Sequence, residues 1–360
     1  MAEKKNDKLL IIIAGLIIGV IAAGLAYLGN PKNMGFCIAC FLRDTVGGLG
    51  LHRAPVVQYI RPEIVGIVIG AFAAAFVKKE FSSKGGSAPM TRFVLGFFAM
   101  VGCLMFLGCP FRMILRLAGG DLNALLGLVG FAAGILCGIF FLKSGYSLKR
   151  TYALTAGEGY WLPIVEVVIF VLLLAKPAFL FFSEEGPGSM HAAVGFALCA
   201  GLVVGVLAQR TRLCMVGGMR DLVLFKETRL LWGFIAILVA ALVTNLVLGG
   251  FKLGFAEQPV AHMDGLWNAL GMLLVGYACV LLGGCPLRQL VMSGEGNADS
   301  AVTVLGLMVG AAFCHNFGLA SSGEGPTANG KIAVIIGIIV VTLIGVVNTY
   351  VKAEAAKEAA

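Results

Sequence analysis

The chain has 360 residues, of which 59% are hydrophobic and only 13% charged, and its net charge is +8. A soluble fold cannot hide that much apolar surface, and a disordered chain would be polar and charged, so both classes are excluded. The apolar runs are apolar all round, whereas a lipid-facing strand alternates, so the composition predicts an all-α polytopic membrane protein rather than a barrel.

Ten runs in chain order are long enough to cross ~30 Å of hydrocarbon. They lie near 9–29, 62–77, 92–108, 122–142, 160–182, 189–209, 229–249, 266–284, 302–320 and 331–351. The first has the look of a signal-peptide core. Its Ala23-Gly24-Leu25 returns later as Ala200-Gly201-Leu202, so it is expected to belong to the fold. Glu166 and Lys176 fall in the fifth run, where they read either as a proton-coupling pair or as a lone carboxylate with a snorkelling lysine. With the N-terminus placed in the cytoplasm, most of the 27 Lys and Arg residues collect on one side, among them Lys78, Lys79, Lys84, Lys143, Lys149, Arg150, Arg210, Arg212 and Lys226. The loop Ser183-Glu184-Glu185-Gly186-Pro187 then faces outward, and the positive-inside rule puts both termini in the cytoplasm of a cell (inner) membrane. The charge therefore reflects orientation in a lipid bilayer, and no basic patch interleaved with aromatics suggests nucleic acid.

The ten cysteines reveal a repeat at a shift of about 177 residues. Cys37-x5-Arg43-Asp44 matches Cys214-x5-Arg220-Asp221, and Cys103-x5-Cys109-Pro110-x-Arg112 matches Cys279-x5-Cys285-Pro286-x-Arg288. Cys137 is matched with Cys314, while Cys40 and Cys199 have no mate. Five spans separate equivalent points, and an odd number inverts the second copy, as in many secondary transporters. The expected organisation is a first repeat over 1–182, an inverted second repeat over 183–351 and a cytoplasmic tail over 352–360. Each motif is too short to cross, so four re-entrant Cys-containing loops or half-helices are expected, buried in protein or lining a cavity.

In Cys-Pro-x-Arg the proline suits the first helical position, which puts Cys109 and Cys285 at the N-caps of half-helices 110–118 and 286–293. Such an N-terminus attracts anions, and Arg112 and Arg288 would add full positive charge. Arg43 and Arg220 pair with the neighbouring aspartate or brace adjacent loops. Thiols are weak donors that desolvate easily, so the throat suits a soft, weakly held anion carrying sulfur or selenium.

These paired Gly-Cys-Pro-Phe-Arg112 and Gly-Gly-Cys-Pro-Leu-Arg288 loops, with Cys37 and Cys214 ahead of them, resemble the YeeE/YedE family of sulfur transporters. The resemblance implies uptake of a thiosulfate-like anion through an hourglass-shaped protein. By motif it marks Cys37, Cys109 and Cys285 as pathway thiols, with Cys214 a fourth by symmetry. The Cys-Ile-Ala-Cys start is most similar to the YedE branch linked with selenium metabolism, which implies a small inorganic sulfur or selenium anion and a cytoplasmic sulfur or selenium carrier protein as partners. Cys40, replaced by Gly217 in the second copy, departs from the pattern and leaves a membrane thiol oxidoreductase using Cys37 and Cys40 as the alternative. No second Cys-x-x-Cys or nearby histidine completes a zinc site, and neither a metal nor a cofactor is expected. No Walker A motif appears, so no direct use of ATP is expected. Free cysteine is often only a small buried hydrophobe, which is the reading for Cys199 and for Cys137 with Cys314. Cys103 and Cys279 divide evenly between packing and pathway.

Overall fold

A computed structural model describes residues 2–351. The expected tail at 352–360 lies outside the described residues. The chain is a bundle of helices with one two-residue strand pair, Lys84–Gly85 against Tyr152–Ala153. In the first copy the helices are α1 (Ala2–Tyr27), α2 (Ile38–Gly48), α3 (Pro62–Val77), α4 (Pro89–Phe106), α5 (Pro110–Ala118), α6 (Asn123–Lys143) and α7 (Ala156–Ala175). After a four-residue turn of helix, α8 (Gly186–Ser189), come α9 (Val194–Thr211), α10 (Met215–Phe225), α11 (Arg229–Val247), α12 (Gly265–Leu282), α13 (Pro286–Gly294), α14 (Ala298–Asn316) and α15 (Ala328–Val346). Ten helical stretches are long and apolar enough to span a membrane, and the protein is an all-α, multi-pass membrane protein.

Local chemistry sets the helix ends. Proline opens α3, α4, α5 and α13, where its missing N–H is not needed. Asp264, Asn297 and Thr327 cap α12, α14 and α15 through their side chains. Lys176, Arg212 and Lys226 end α7, α9 and α10 in the left-handed conformation. The fifth span therefore stops at Ala175 rather than at 182, and Lys176 stands beyond the helix with its ammonium near the Phe182 ring. It is not a partner inside the span for Glu166, which is buried with one carboxylate oxygen unbonded.

The strongest helix pairs are α1 with α11, α3 with α9, α4 with α14 and α6 with α12. Exchanging each helix for its mate in the other copy maps this set onto itself. The equivalents α4 and α12 also pack on each other, antiparallel, since Gly102 meets Gly271 and Val275 while Gly271 meets Met105. Glycines let these backbones touch. A Cβ on Gly134 would collide with the Leu273 carbonyl of α12, and one on Gly310 would lie 2.8 Å from the Phe97 carbonyl of α4. Gly134 and Gly310 are 176 positions apart, as are Cys109 and Cys285. In that register Gly138, not Cys137, is the mate of Cys314, and the match drawn from sequence is one residue out. The structure agrees, for Cys137 is exposed on the outside of α6 whereas Cys314 is buried.

The last helix of each copy breaks the symmetry. α7 packs on α3 and α13, but α15 leans on α4 and α12. The longer loops 28–37, 49–61, 176–193, 248–264 and 317–327 gather at one end of the bundle, as seen where Gly29 approaches His191, Phe181 bonds Gly48, and Asn316 bonds Leu51. The short turns 212–214, 226–228 and 295–297 lie at the other end with the 78–88 and 144–155 segments, where Glu80 holds Gln209 and Arg210 at 2.8 and 3.0 Å.

Filling the crossings tests this architecture. Gly134→Leu and Gly310→Leu are each expected to destabilise the protein by about 1–3 kcal/mol or more through overpacking, while Gly195→Ala, which meets nothing within 4 Å, stays neutral. Folded yield and thermal unfolding in detergent give the comparison.

Candidate functional site

Four short helices begin on a cysteine. Cys37 precedes α2, Cys109 α5, Cys214 α10 and Cys285 α13, all with extended backbone at the cap. The two Cys-Pro helices follow spans that stop inside the bundle. α4 ends at Leu107 (φ 59°) and α12 at Gly283 (φ 83°), both left-handed, and three residues later a new helix starts. Half-helices with buried ends are tolerated at membrane depth only inside protein, and these are walled by α1, α3, α6, α11 and α14.

The caps meet in pairs. Near the long-loop end, Cys37 is a hydrogen-bond partner of both Cys109 and Cys40, and its sulfur accepts the Cys40 backbone N–H at 3.3 Å. Near the short-turn end, the Cys214 sulfur accepts the N–H groups of Gly217 at 3.3 Å and Cys285 at 3.5 Å, and the free thiols of Cys214 and Cys285 are hydrogen-bonded to each other. Each pair thus stands where two helix N-termini converge, each terminus carrying roughly half a positive charge. Cys103 and Cys279 join the pairs. Cys103 lies within electrostatic reach of Cys37 and Cys40 on one side and Cys279 on the other, and Cys279 within reach of Cys214. All these sulfurs are buried. The structure therefore places Cys40 beside the first pair and puts Cys103 and Cys279 between the two pairs, within electrostatic reach of both. Cys137 and Cys199 face outward on their spans, apart from them.

The charged residues sort differently from their motifs. Arg43 pairs with Asp44 at 2.6 Å, and Arg220 with Asp221 at 2.8 Å, within each motif as expected. Asp44 also takes Arg61 at 2.8 Å, so two buried guanidiniums share one carboxylate. Arg61 further donates to the carbonyls of Pro187 and Met190 and lies over the rings of Phe41 and Tyr59. Sequence reasoning passed over Arg61. Its signal was an Arg-Pro pair directly at the head of a span. Arg112 is wholly buried and has no carboxylate partner. It donates to the carbonyls of Asn33, Leu107, Pro259 and Val260, and at 3.8 Å to Cys40 Sγ. Arg288 instead forks onto Glu295 at 3.0 and 3.3 Å, toward the far end of its own half-helix. The two arginines of the Cys-Pro-x-Arg motif therefore do not play equal parts.

A cavity of about 380 Å³ opens at the long-loop end, lined by Arg43, Leu107, Val260, His315 and Ser321 among others. Behind it His52 stacks on His315 with ring centroids 4.6 Å apart. Burial pushes His52 below the ordinary histidine range, so at neutral pH it is uncharged. Its Nε2–H donates to the Arg43 carbonyl at 3.0 Å while Nδ1 accepts the Ala54 N–H. Among the described residues no group of three metal-ligating side chains occurs.

Residues 210–359 match the family described as Sulphur transport. The thiosulfate transporter TsuA of Escherichia coli (strain K12) is 30% identical over 113 residues, which are 31% of this chain and 31% of that protein. The match thus spans about a third of the length of that curated relative. The resemblance to the YeeE/YedE family drawn from the cysteine motifs is borne out, and neither match concerns selenium.

The shared aspartate is open to test. Asp44→Asn leaves Arg43 and Arg61 buried without a counter-charge, an uncompensated burial expected to cost about 3–5 kcal/mol. The variant should show a lowered unfolding temperature in detergent, and Asp221→Asn, whose pair is more exposed, a much smaller drop.

Proposed function

We propose that this YeeE/YedE-type chain conducts a sulfur-containing, thiosulfate-like anion across a cell membrane along its line of buried thiols. The observation that carries the reading is the pairing of N-capped cysteines at two depths, Cys37 with Cys109 and Cys214 with Cys285, bridged by Cys103 and Cys279. The long-loop end is read as the outer face, because the opposite end carries most of the Lys and Arg residues. An anion then enters the cavity beside Arg43 and passes Leu107 to the Cys37–Cys109 pair.

There the converging helix N-termini and Arg112 supply attraction without a fixed carboxylate to compete. A soft sulfur atom finds S–H donors that hold it weakly, and weak holding is what a conducting site requires. The ion moves past Cys103 and Cys279 to Cys214 and Cys285 and leaves among the short turns near Arg220. The thiols are buried, so each transfer needs side chains to part, and the flexible small thiol groups make that displacement modest. Release to a cytoplasmic sulfur or selenium carrier protein would follow naturally from this exit, and selenium oxyanions belong in the substrate panel beside thiosulfate.

Uptake of labelled thiosulfate into proteoliposomes is the deciding measurement. Cys37→Ala, Cys109→Ala and Cys285→Ala are expected to lower the flux at least tenfold, roughly the loss of one ~1.4 kcal/mol interaction at the rate-limiting point. Cys137→Ala and Cys199→Ala, on the outer faces of their spans, should conduct as the parent does. Undiminished flux in folded Cys109→Ala and Cys285→Ala would overturn the thiol path. The oxidoreductase reading draws on the Cys37-x-x-Cys40 pair at the start of α2. It predicts a reversible disulfide in thiol-trapping experiments on intact membranes, where the transport reading predicts thiols that stay reduced during turnover.

A further inference from the structure

The two copies differ at several positions around their thiol sites, among them Met113 and Arg116, which stand where the second copy has Gln289 and Met292. Cys40 of the first copy stands where the second has Gly217, and Gly119, at the C-cap of α5, stands where the second has Glu295. The last difference decides where an arginine goes. With glycine at 119, Arg112 has no carboxylate to reach and turns back toward the thiols, donating to Cys40 Sγ and to the Leu107 carbonyl. With glutamate at 295, Arg288 is drawn two turns along α13, away from the Cys285 cap. In the second copy Gln289 does the work that Arg116 does in the first: its amide reaches the carbonyls of Leu282, the mate of Phe106, and Gly284 at 3.3 and 3.4 Å, and Arg92 reaches that of Leu282 at 3.4 Å. Arg288 places both its terminal nitrogens on Glu295 instead.

We propose that Glu295 is a positioning residue that makes the two thiol sites unequal: by holding Arg288 away from Cys214 and Cys285 it keeps that arginine's charge off the site, so an anion captured at Cys37 and Cys109 is released there. The proposal rests on the transport reading and adds a direction to it. An anion gains at the first site from Arg112, which has no carboxylate on it, whereas the arginines near the second, Arg220 and Arg92, are each offset by an aspartate, Asp221 at 2.8 Å and Asp299 at 3.6 Å. The affinity falls along the path, and the exit does not become a trap.

The test is Glu295→Gln, which keeps the size and removes the charge that holds Arg288. Freed, Arg288 can swing back as Arg112 does. Thiosulfate binding to the purified protein in detergent should tighten about tenfold, and in proteoliposomes KM and kcat should fall together, because tighter holding at the exit slows release. Glu295→Asp should behave as the parent. Adding Arg288→Met to Glu295→Gln should return the affinity to the parental value. A second readout is independent of flux. The rate at which a small neutral reagent alkylates Cys214 and Cys285, followed by mass spectrometry against pH, should shift to lower pH in Glu295→Gln, since a nearby cation favours the thiolate. A folded Glu295→Gln protein with parental binding and an unshifted alkylation profile would overturn the proposal, as would a gain in affinity that survives Arg288→Met. Absence of thiosulfate flux in the parent protein would overturn the transport reading and the release role with it, whereas the alkylation profile still decides whether Glu295 governs the charge at the site.

Discussion

A helix that stops inside a bilayer leaves carbonyl groups with neither a partner nor water, and two spans of this protein stop there. Everything near the centre follows from satisfying those groups. At the break after α4, Arg116 takes the Phe106 carbonyl at 2.7 Å and Arg112 that of Leu107, and Asp121 at 2.6 Å offsets the charge that Arg116 brings. At the break after α12 a neutral amide, Gln289, takes the Leu282 and Gly284 carbonyls, and Arg92, offset by Asp299 at 3.6 Å, also reaches that of Leu282. The same structural demand is therefore met by two arginines of the half-helix itself in one copy, and in the other by a glutamine of the half-helix with Arg92 of a neighbouring span. A cation used as a backbone clamp is also a cation available to an anion, so the manner of repair sets the electrostatics around the thiols.

The second theme is symmetry kept where backbones touch and broken around that frame. Gly134 against Leu273 and Gly310 against Phe97 hold the two copies to one register. The small residues permit approach close enough for dispersion and backbone contact to replace a hydrophobic drive that is absent between lipid-embedded helices. Around that frame the copies diverge. α7 and α15 dock on different neighbours, the long loops collect at one end, and Asp44 serves two arginines where Asp221 serves one. An inverted repeat with identical halves would be indifferent to direction, and these differences remove that indifference.

Much of this was legible in the chain. Helix 62–77 lies where its hydrophobic run ends between a proline and a lysine pair, and the half-helix after Cys109 has the bounds that Cys-Pro implies. Other readings failed for physical reasons. The fifth run continues in sequence to Phe182, but Lys176 turns left-handed and the apolar residues after it pack across the bundle end, so hydropathy alone overshot. The Cys137–Cys314 match was drawn between residues of the same type, yet the helix crossing aligns Gly138 with Cys314, because backbone contact fixes register and residue identity does not.

The sequence by itself determined the class, the ten spans, the repeat and the four cysteines that start short helices. Those depend on hydrophobic length, proline geometry and motif spacing, which are local along the chain. Tertiary structure alone decided which thiols meet, since Cys37 reaches Cys109 and Cys214 reaches Cys285 only when distant half-helices converge. It also decided the fate of the arginines. Arg112 and Arg288 sit in the same motif, and what separates them is a carboxylate at the opposite end of one half-helix, whose pull on a flexible guanidinium spacing could not show.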